Sequence, residues 1–98
     1  MYCVVWQYQV REDQQNLFEQ AYGSKGVWSQ LFSTSQQYKG SQLSKCLGER
    51  DTYLLLDWWE DAMSYEAFLK NHESTYASLS KQYETVYVKE ARLGEFEN

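Results

Sequence analysis

The sequence predicts one α+β domain over residues 1–98, of the ferredoxin-like βαββαβ kind: a four-stranded antiparallel sheet with its helices on one face. Three observations predict it. Stretches of period two and period 3.6 follow one another in the order strand, helix, strand, strand, helix, strand. Thr52 to Trp59 is apolar on both faces, which places that strand in the middle of the sheet. A chain of 98 residues holds one modest core, because domains of this size bury only about 60 to 65% of their unfolded surface.

Tyr2 to Val10 alternates, with Tyr2, Val4, Trp6, Tyr8 and Val10 on one side and Cys3, Val5, Gln7 and Gln9 on the other, so it reads as the first strand. Glu12 to Tyr22 reads as the first helix. It carries Leu17, Phe18 and Ala21 at helical spacing, acids in its first turn and Gly23 just past its end. Val27, Trp28, Leu31 and Phe32 then recur at three and four residues, as in a short helical turn docked on the core. Tyr38 to Gly48 reads as an edge strand with a bulge at Gly40. Glu49-Arg50-Asp51 turns the chain into the central strand. The second helix follows Asp61 and runs to Tyr83, with Tyr65, Phe68, Leu69, His72, Tyr76, Leu79 and Tyr83 along one stripe. Glu84 to Leu93 forms the last strand, and Gly94 to Asn98 a tail.

Phe, Trp and Tyr make up 17% of the chain, and each such ring buries roughly 150 to 250 Å². One small core cannot absorb that much, so part of it faces a partner subunit or lines a ligand cavity. Helices on one face leave the other face of the sheet uncovered, and a second copy of the sheet is the simplest cover. The sequence therefore predicts a homodimer, with the strand face carrying Val4, Trp6 and Tyr8 at its interface.

A net charge of -5 without a basic cluster excludes nucleic acid and anionic membrane as partners. The longest apolar stretches are too short to span a bilayer, and the chain opens with no basic segment leading into an apolar one, so a cytoplasmic protein is expected. Cys3 and Cys46 fall in separate strands with no CxxC pair, which argues against a disulfide framework or a metal site. No GxGxxG, Walker loop, flavin signature or Ser-His-Asp set occurs, and no cofactor is expected.

The candidate site lies between the helices and the sheet. Phe68, His72 and Tyr76 stand four residues apart on one helix line, and the small or polar Cys3, Val5 and Gln7 are expected on the sheet face below. Such a cavity has Gln7 on its floor, His72 and Tyr76 in its roof, and Trp28 or Phe32 at its mouth. His72, the only histidine, is then the candidate base, with Tyr76 or Gln7 positioning a ligand oxygen. The alternative is a boundary histidine satisfied by a carbonyl. Trp28, Phe32, Trp59 and Phe68 can wall a flat aromatic ligand, with Tyr22 adding a polar contact, or can simply be core. Asp57 interrupts an apolar strand; it either orients a ligand or is a structural carboxylate bonded to Trp, Tyr or Arg92.

Phe18, Tyr22-Gly23, Gly26-Val27-Trp28, Leu31-Phe32, Tyr38-Lys39-Gly40, Leu43, Asp57-Trp58-Trp59, Tyr65, Phe68, Tyr76, Leu79 and Glu90 through Leu93-Gly94-Glu95-Phe96 together resemble the antibiotic biosynthesis monooxygenase family. The resemblance implies a dimeric α+β barrel with the ligand held between the helices and sheet of each subunit. It implies, too, an activity among cofactor-independent oxygenases of aromatic quinol-like compounds, haem-degrading enzymes and small isomerase-like proteins. The haem degraders' histidine, asparagine and tryptophan fall near Leu79 or Ser80, Gln7 and Phe68, and none is retained. Three readings follow: a cofactor-independent monooxygenase of an aromatic or conjugated small molecule, a non-catalytic binding module, and, third, a haem binder. An oxygenase without a cofactor needs a substrate that supplies electrons to O₂ after losing a proton, in a dry cavity.

Overall fold

The alternation at the start of the chain is realised as β1 (Tyr2–Val10), and the computed structural model describes residues 1–98. β1 pairs antiparallel with β3 (Thr52–Trp59) on one side and with β4 (Tyr87–Glu97) on the other, and β2 (Tyr38–Lys45) pairs with β3. The sheet order is β2-β3-β1-β4, as the split βαβ motif requires. No helix is long and apolar enough to cross a membrane.

Which face of β1 meets the helices differs from the sequence-based expectation. Tyr2, Val4, Tyr8 and Val10 are buried in one cluster with Phe18, Tyr22, Phe32, Trp59 and Phe68, and Trp6 packs against its edge. The face carrying Val4, Trp6 and Tyr8 therefore looks inward and is not available to a second subunit. The physical reason is ring packing. The Tyr8 ring lies 5.1 Å from Phe18 and 5.2 Å from both Tyr22 and Tyr87, all tilted or edge-on, the arrangement aromatic quadrupoles favour. Cys3, Val5 and Gln7 face the open side, where Cys3 is covered by its cross-strand neighbours Trp58 and Phe96.

A 3₁₀ turn (Glu12–Gln14) leads into α1 (Gln15–Tyr22), and α2 (Val27–Phe32) follows. The link between them is tight. A Cβ at Gly26 would come 2.2 Å from the Ala21 carbonyl oxygen, so only glycine lets α2 fold back on α1. Gly40 has φ of 114° and sits at the register shift between β2 and β3, the expected bulge. β2 ends at Lys45, short of Gly48.

The long second helix is two helices, α3 (Ala62–Asn71) and α4 (Glu73–Tyr83). Asp61 caps α3, accepting from the Ser64 backbone N–H at 2.8 Å. At His72 the backbone leaves helical angles, with φ of -125° and ψ of 27°. Asn71 and His72 are weak helix formers, and the His72 Nδ1–H donates to the Phe68 carbonyl at 3.0 Å, sharing it with the His72 backbone N–H. β4 continues through the residues expected as a tail, because β1 offers pairing as far as Tyr2 opposite Glu97. The two chain ends meet there, with the Asn98 N–H donating to the Met1 carbonyl at 3.1 Å.

The open face carries Cys3 and Val5 of β1, Leu54, Leu56 and Trp58 of β3, and Phe96 of β4. Leu54 is 36% exposed and Phe96 58% exposed, so the apolar second face of β3 is not covered by this chain.

Candidate functional site

Under the helices the inner sheet face leaves a cavity of about 220 Å³. Trp6, Tyr8, Leu55 and Asp57 form its floor, Tyr22, Trp28 and Phe32 one wall, Tyr76 and Ser80 of α4 its roof, and Tyr87 and Glu90 of β4 its outer side. Of the candidates drawn from sequence, the structure brings together Tyr22, Trp28, Phe32, Asp57 and Tyr76.

The others lie elsewhere. Trp59 is wholly buried behind the cavity, with its ring 5.3 Å from Phe68 and 5.5 Å from Phe32. Phe68 belongs to the same packing. Gln7 points to the opposite face of the sheet, where it lines a separate hollow with Gln9, Glu49, Arg50, Thr52 and Lys89. This corrects its placement on the cavity floor, and the cause is the inverted face of β1. His72 lies outside the cavity too, in a surface cleft with Ser35, Gln37, Asp61 and Asn71. The bend at His72 destroys the straight line from Phe68 to Tyr76. Its ring stacks on Phe68 at 4.1 Å and its Nδ1–H is spent on the Phe68 carbonyl, which makes it a boundary histidine held by the backbone.

Trp6, Tyr8, Ser80, Tyr87 and Glu90 line the cavity and were not among the sequence candidates. Trp6 and Tyr8 were legible in principle. They share the alternation phase of Val4, which pairs with Asp57, and the bulkier face of a central strand belongs to its own core.

Asp57 is the chemically unusual member. It is 5% exposed and has no cationic partner; Arg92, a partner considered from sequence, is 3.5 Å from Glu95 instead. Burial pushes its carboxyl up to about 6, opposed by the hydrogen bond that Ser41 Oγ donates at 2.6 Å. Ser41 Oγ in turn contacts the Tyr38 hydroxyl, which lies 3.1 Å from Ser29 Oγ, and Ser29 Oγ is 3.2 Å from the Gly23 carbonyl. Glu90, an exposed residue on the outer side, accepts the Tyr8 hydroxyl at 2.7 Å. Burial raises the Tyr8, Tyr22 and Tyr76 hydroxyls above their ordinary values, so these stay protonated near neutral pH. Trp28 Nε1–H is buried beside the Tyr22 hydroxyl but with no acceptor at full hydrogen-bond geometry, and its ring meets Tyr76 edge-on at 5.0 Å. An orphaned donor in a cavity wall is satisfied when a ligand brings an oxygen to it. The cavity thus combines flat apolar walls, a buried acid and an unused N–H.

A ferredoxin-like sheet with an aromatic-walled cavity beneath its helices defines a small α+β domain of the split βαβ class. Residues 1–77 match the family described as antibiotic biosynthesis monooxygenase, and the chain belongs to that family. No curated protein matches it in sequence. Among solved structures it is similar to a mutant of SnoaB, a cofactor-independent oxygenase from Streptomyces nogalater (11% identity, 99% of this chain and 91% of that one, TM-score 0.73). A protein from Nitrosomonas europaea named provisionally as an antibiotic biosynthesis monooxygenase is also similar (10% identity, 100% and 98%, TM-score 0.74). So is a mutant of MhuD carrying two manganese protoporphyrin IX molecules per active site (17% identity, 100% and 94%, TM-score 0.74). At these identities the likeness shows a shared fold.

Haem does not fit the residues present: burial holds the hydroxyls of the cavity tyrosines, Tyr8, Tyr22, Tyr76 and Tyr87, in the protonated form, which is a poor iron ligand. The cavity presents no imidazole or thiolate to an iron: His72 lies outside it, Cys3 is on the other face of the sheet, and Cys46 is exposed in a turn.

Proposed function

We propose that this protein is a cofactor-independent monooxygenase, or a closely related small enzyme, acting on a flat aromatic or otherwise conjugated small molecule held in the cavity between helices and sheet. The observation that supports this most is the joining, in one aromatic-walled space, of a buried carboxyl at Asp57 and an unpartnered donor at Trp28 Nε1. A ligand hydroxyl that loses its proton in a water-poor cavity becomes an electron-rich anion able to reduce O₂. Trp28 and Tyr76 orient its oxygens. The base is a cavity carboxylate, since His72 does not reach the space. The unit that works is a homodimer closed over the open face of β3, and the two unpaired cysteines suit a reducing cytoplasm.

The experiment is a thermal-shift screen of polyphenols and quinols, followed by O₂ consumption with every stabilising compound. At least one quinol is expected to raise Tm and to drive O₂ uptake without added metal or flavin. Stabilisation with no O₂ uptake from any hit would instead make the chain a binding module.

A further inference from the structure

Resting on the reading of the cavity as a small-molecule site, we propose that Asp57 takes the proton of a bound ligand hydroxyl, and that the hydroxyls of Ser41, Tyr38 and Ser29 form a chain tuned to receive it.

The argument is a count of protons. Asp57, Ser41, Tyr38, Ser29 and the Gly23 carbonyl are joined by four oxygen-to-oxygen links. The three hydroxyls hold three protons. With Asp57 ionised, one of the four links has no proton to share, and two oxygen lone pairs face each other at short range. A fourth proton on the carboxyl removes the defect. The links then run in one direction, from Asp57 through Ser41, Tyr38 and Ser29 to Gly23, each with one donor and one acceptor.

The surroundings favour the same state. Tyr38 from β2, Tyr65 from α3 and Tyr76 from α4 face Asp57, and burial raises all three, so they are neutral when it titrates; the Cys3 thiol of β1, on the other face of the sheet, is raised by burial as well. Tyr22 of α1 is likewise raised, and α2 contributes no titratable group beside Ser29. On β4, Arg92 is engaged with Glu95, and Glu90 adds a second negative charge to the cavity. No cation offsets an ionised Asp57, whereas a ligand O–H does. In the transfer the ligand O–H bond breaks, a carboxyl O–H bond forms on Asp57, and the electron pair stays on the ligand oxygen. Negative charge passes from a buried carboxylate to a conjugated ring that spreads it.

The probe is nitrocatechol, whose absorption band shifts on ionisation. Its affinity for the wild type is expected to be bell-shaped in pH, with an acid limb near Asp57's value of about 6 and an alkaline limb set by the probe's own hydroxyl. Near that acid limb the wild-type complex should show the ionised band while the free probe remains neutral. Asp57→Asn is expected to abolish that band, remove the acid limb and lower affinity roughly ten- to a hundredfold. Ser41→Ala cuts the chain at its first link and removes the preference for the protonated carboxyl, so its acid limb should move to lower pH; a move to higher pH would show Ser41 acting only as a donor to the ionised carboxylate. A neutral band in the wild-type complex, an unchanged band in Asp57→Asn, or an acid limb in Ser41→Ala that stays put or moves to higher pH would overturn the proposal and leave the cavity reading standing. No binding by wild type or either variant would overturn the cavity reading with it.

Discussion

At the scale of single residues, Asp57 shows what burial does to a charge when no cation follows it inside. Its folded-state value of about 6 lies above the unfolded value of 3.8. Folding therefore favours the protonated form, a contribution present below the unfolded value and lost as pH rises through about 6. The cost of ionising the buried group is on the order of 3 kcal/mol, at 1.36 kcal/mol for each unit. Asp57→Asn keeps the acceptor for Ser41 and stays neutral at every pH. The variant is thus expected to match the wild type near pH 4 and to be more stable above pH 7, as measured by urea unfolding at both. A gap that does not widen with pH would show that Asp57 carries no such penalty. Acids at sites of ligand chemistry often reduce the stability of the free protein, and this is the residue where the trade shows.

At the scale of elements, periodicity located the four strands and the helical stretches, reading one helix where α3 and α4 stand, but did not decide how each was turned. Thr52 to Trp59 was legible to the residue, because an apolar stretch broken only by Asp57 and set between two polar turns has sharp ends. The side that β1 buries was not legible from alternation. A period of two gives two faces and leaves their assignment to whatever the helices bring, here the rings of Phe18, Tyr22 and Phe32. The bend at His72 was hidden for a similar reason: the stripe from Tyr65 to Tyr83 fits one helix, and only the competition for the Phe68 carbonyl breaks it. This removed His72 and Gln7 from the site while leaving Trp28, Phe32 and Tyr76 in it. His72→Ala is expected to cost about 1 kcal/mol of stability through its lost hydrogen bond. Ligand affinity in that variant should equal the wild type's, read by the same thermal-shift titration. A large loss of affinity with little loss of stability would return His72 to the site.

At the scale of the molecule, the open sheet face sets the expected assembly. Leu54, Leu56, Trp58 and Phe96 form an apolar strip, and the other side of β3, from Tyr53 to Trp59, is committed to the core. Trp58→Glu places an unpaired charge there and is expected to yield folded monomer by sedimentation, with near-wild-type secondary structure by circular dichroism. Trp6→Glu, on the inner face, should instead destabilise the fold by several kcal/mol, because it puts the charge against the cavity and core. Equal behaviour of the two variants would refute this assignment of faces. The handshake between Met1 and Asn98 has a consequence for connectivity. Covalent order along the chain and spatial order in the sheet are separable here, since both ends lie side by side on neighbouring strands. A short Gly-Ser bridge would turn β4 and β1 into a hairpin, and new ends could be cut between Gly48 and Glu49, which are exposed outside any strand. That circular permutant should fold with the same cavity, which would mark the sheet's register, and not the sequence in which its strands are made, as what specifies this architecture.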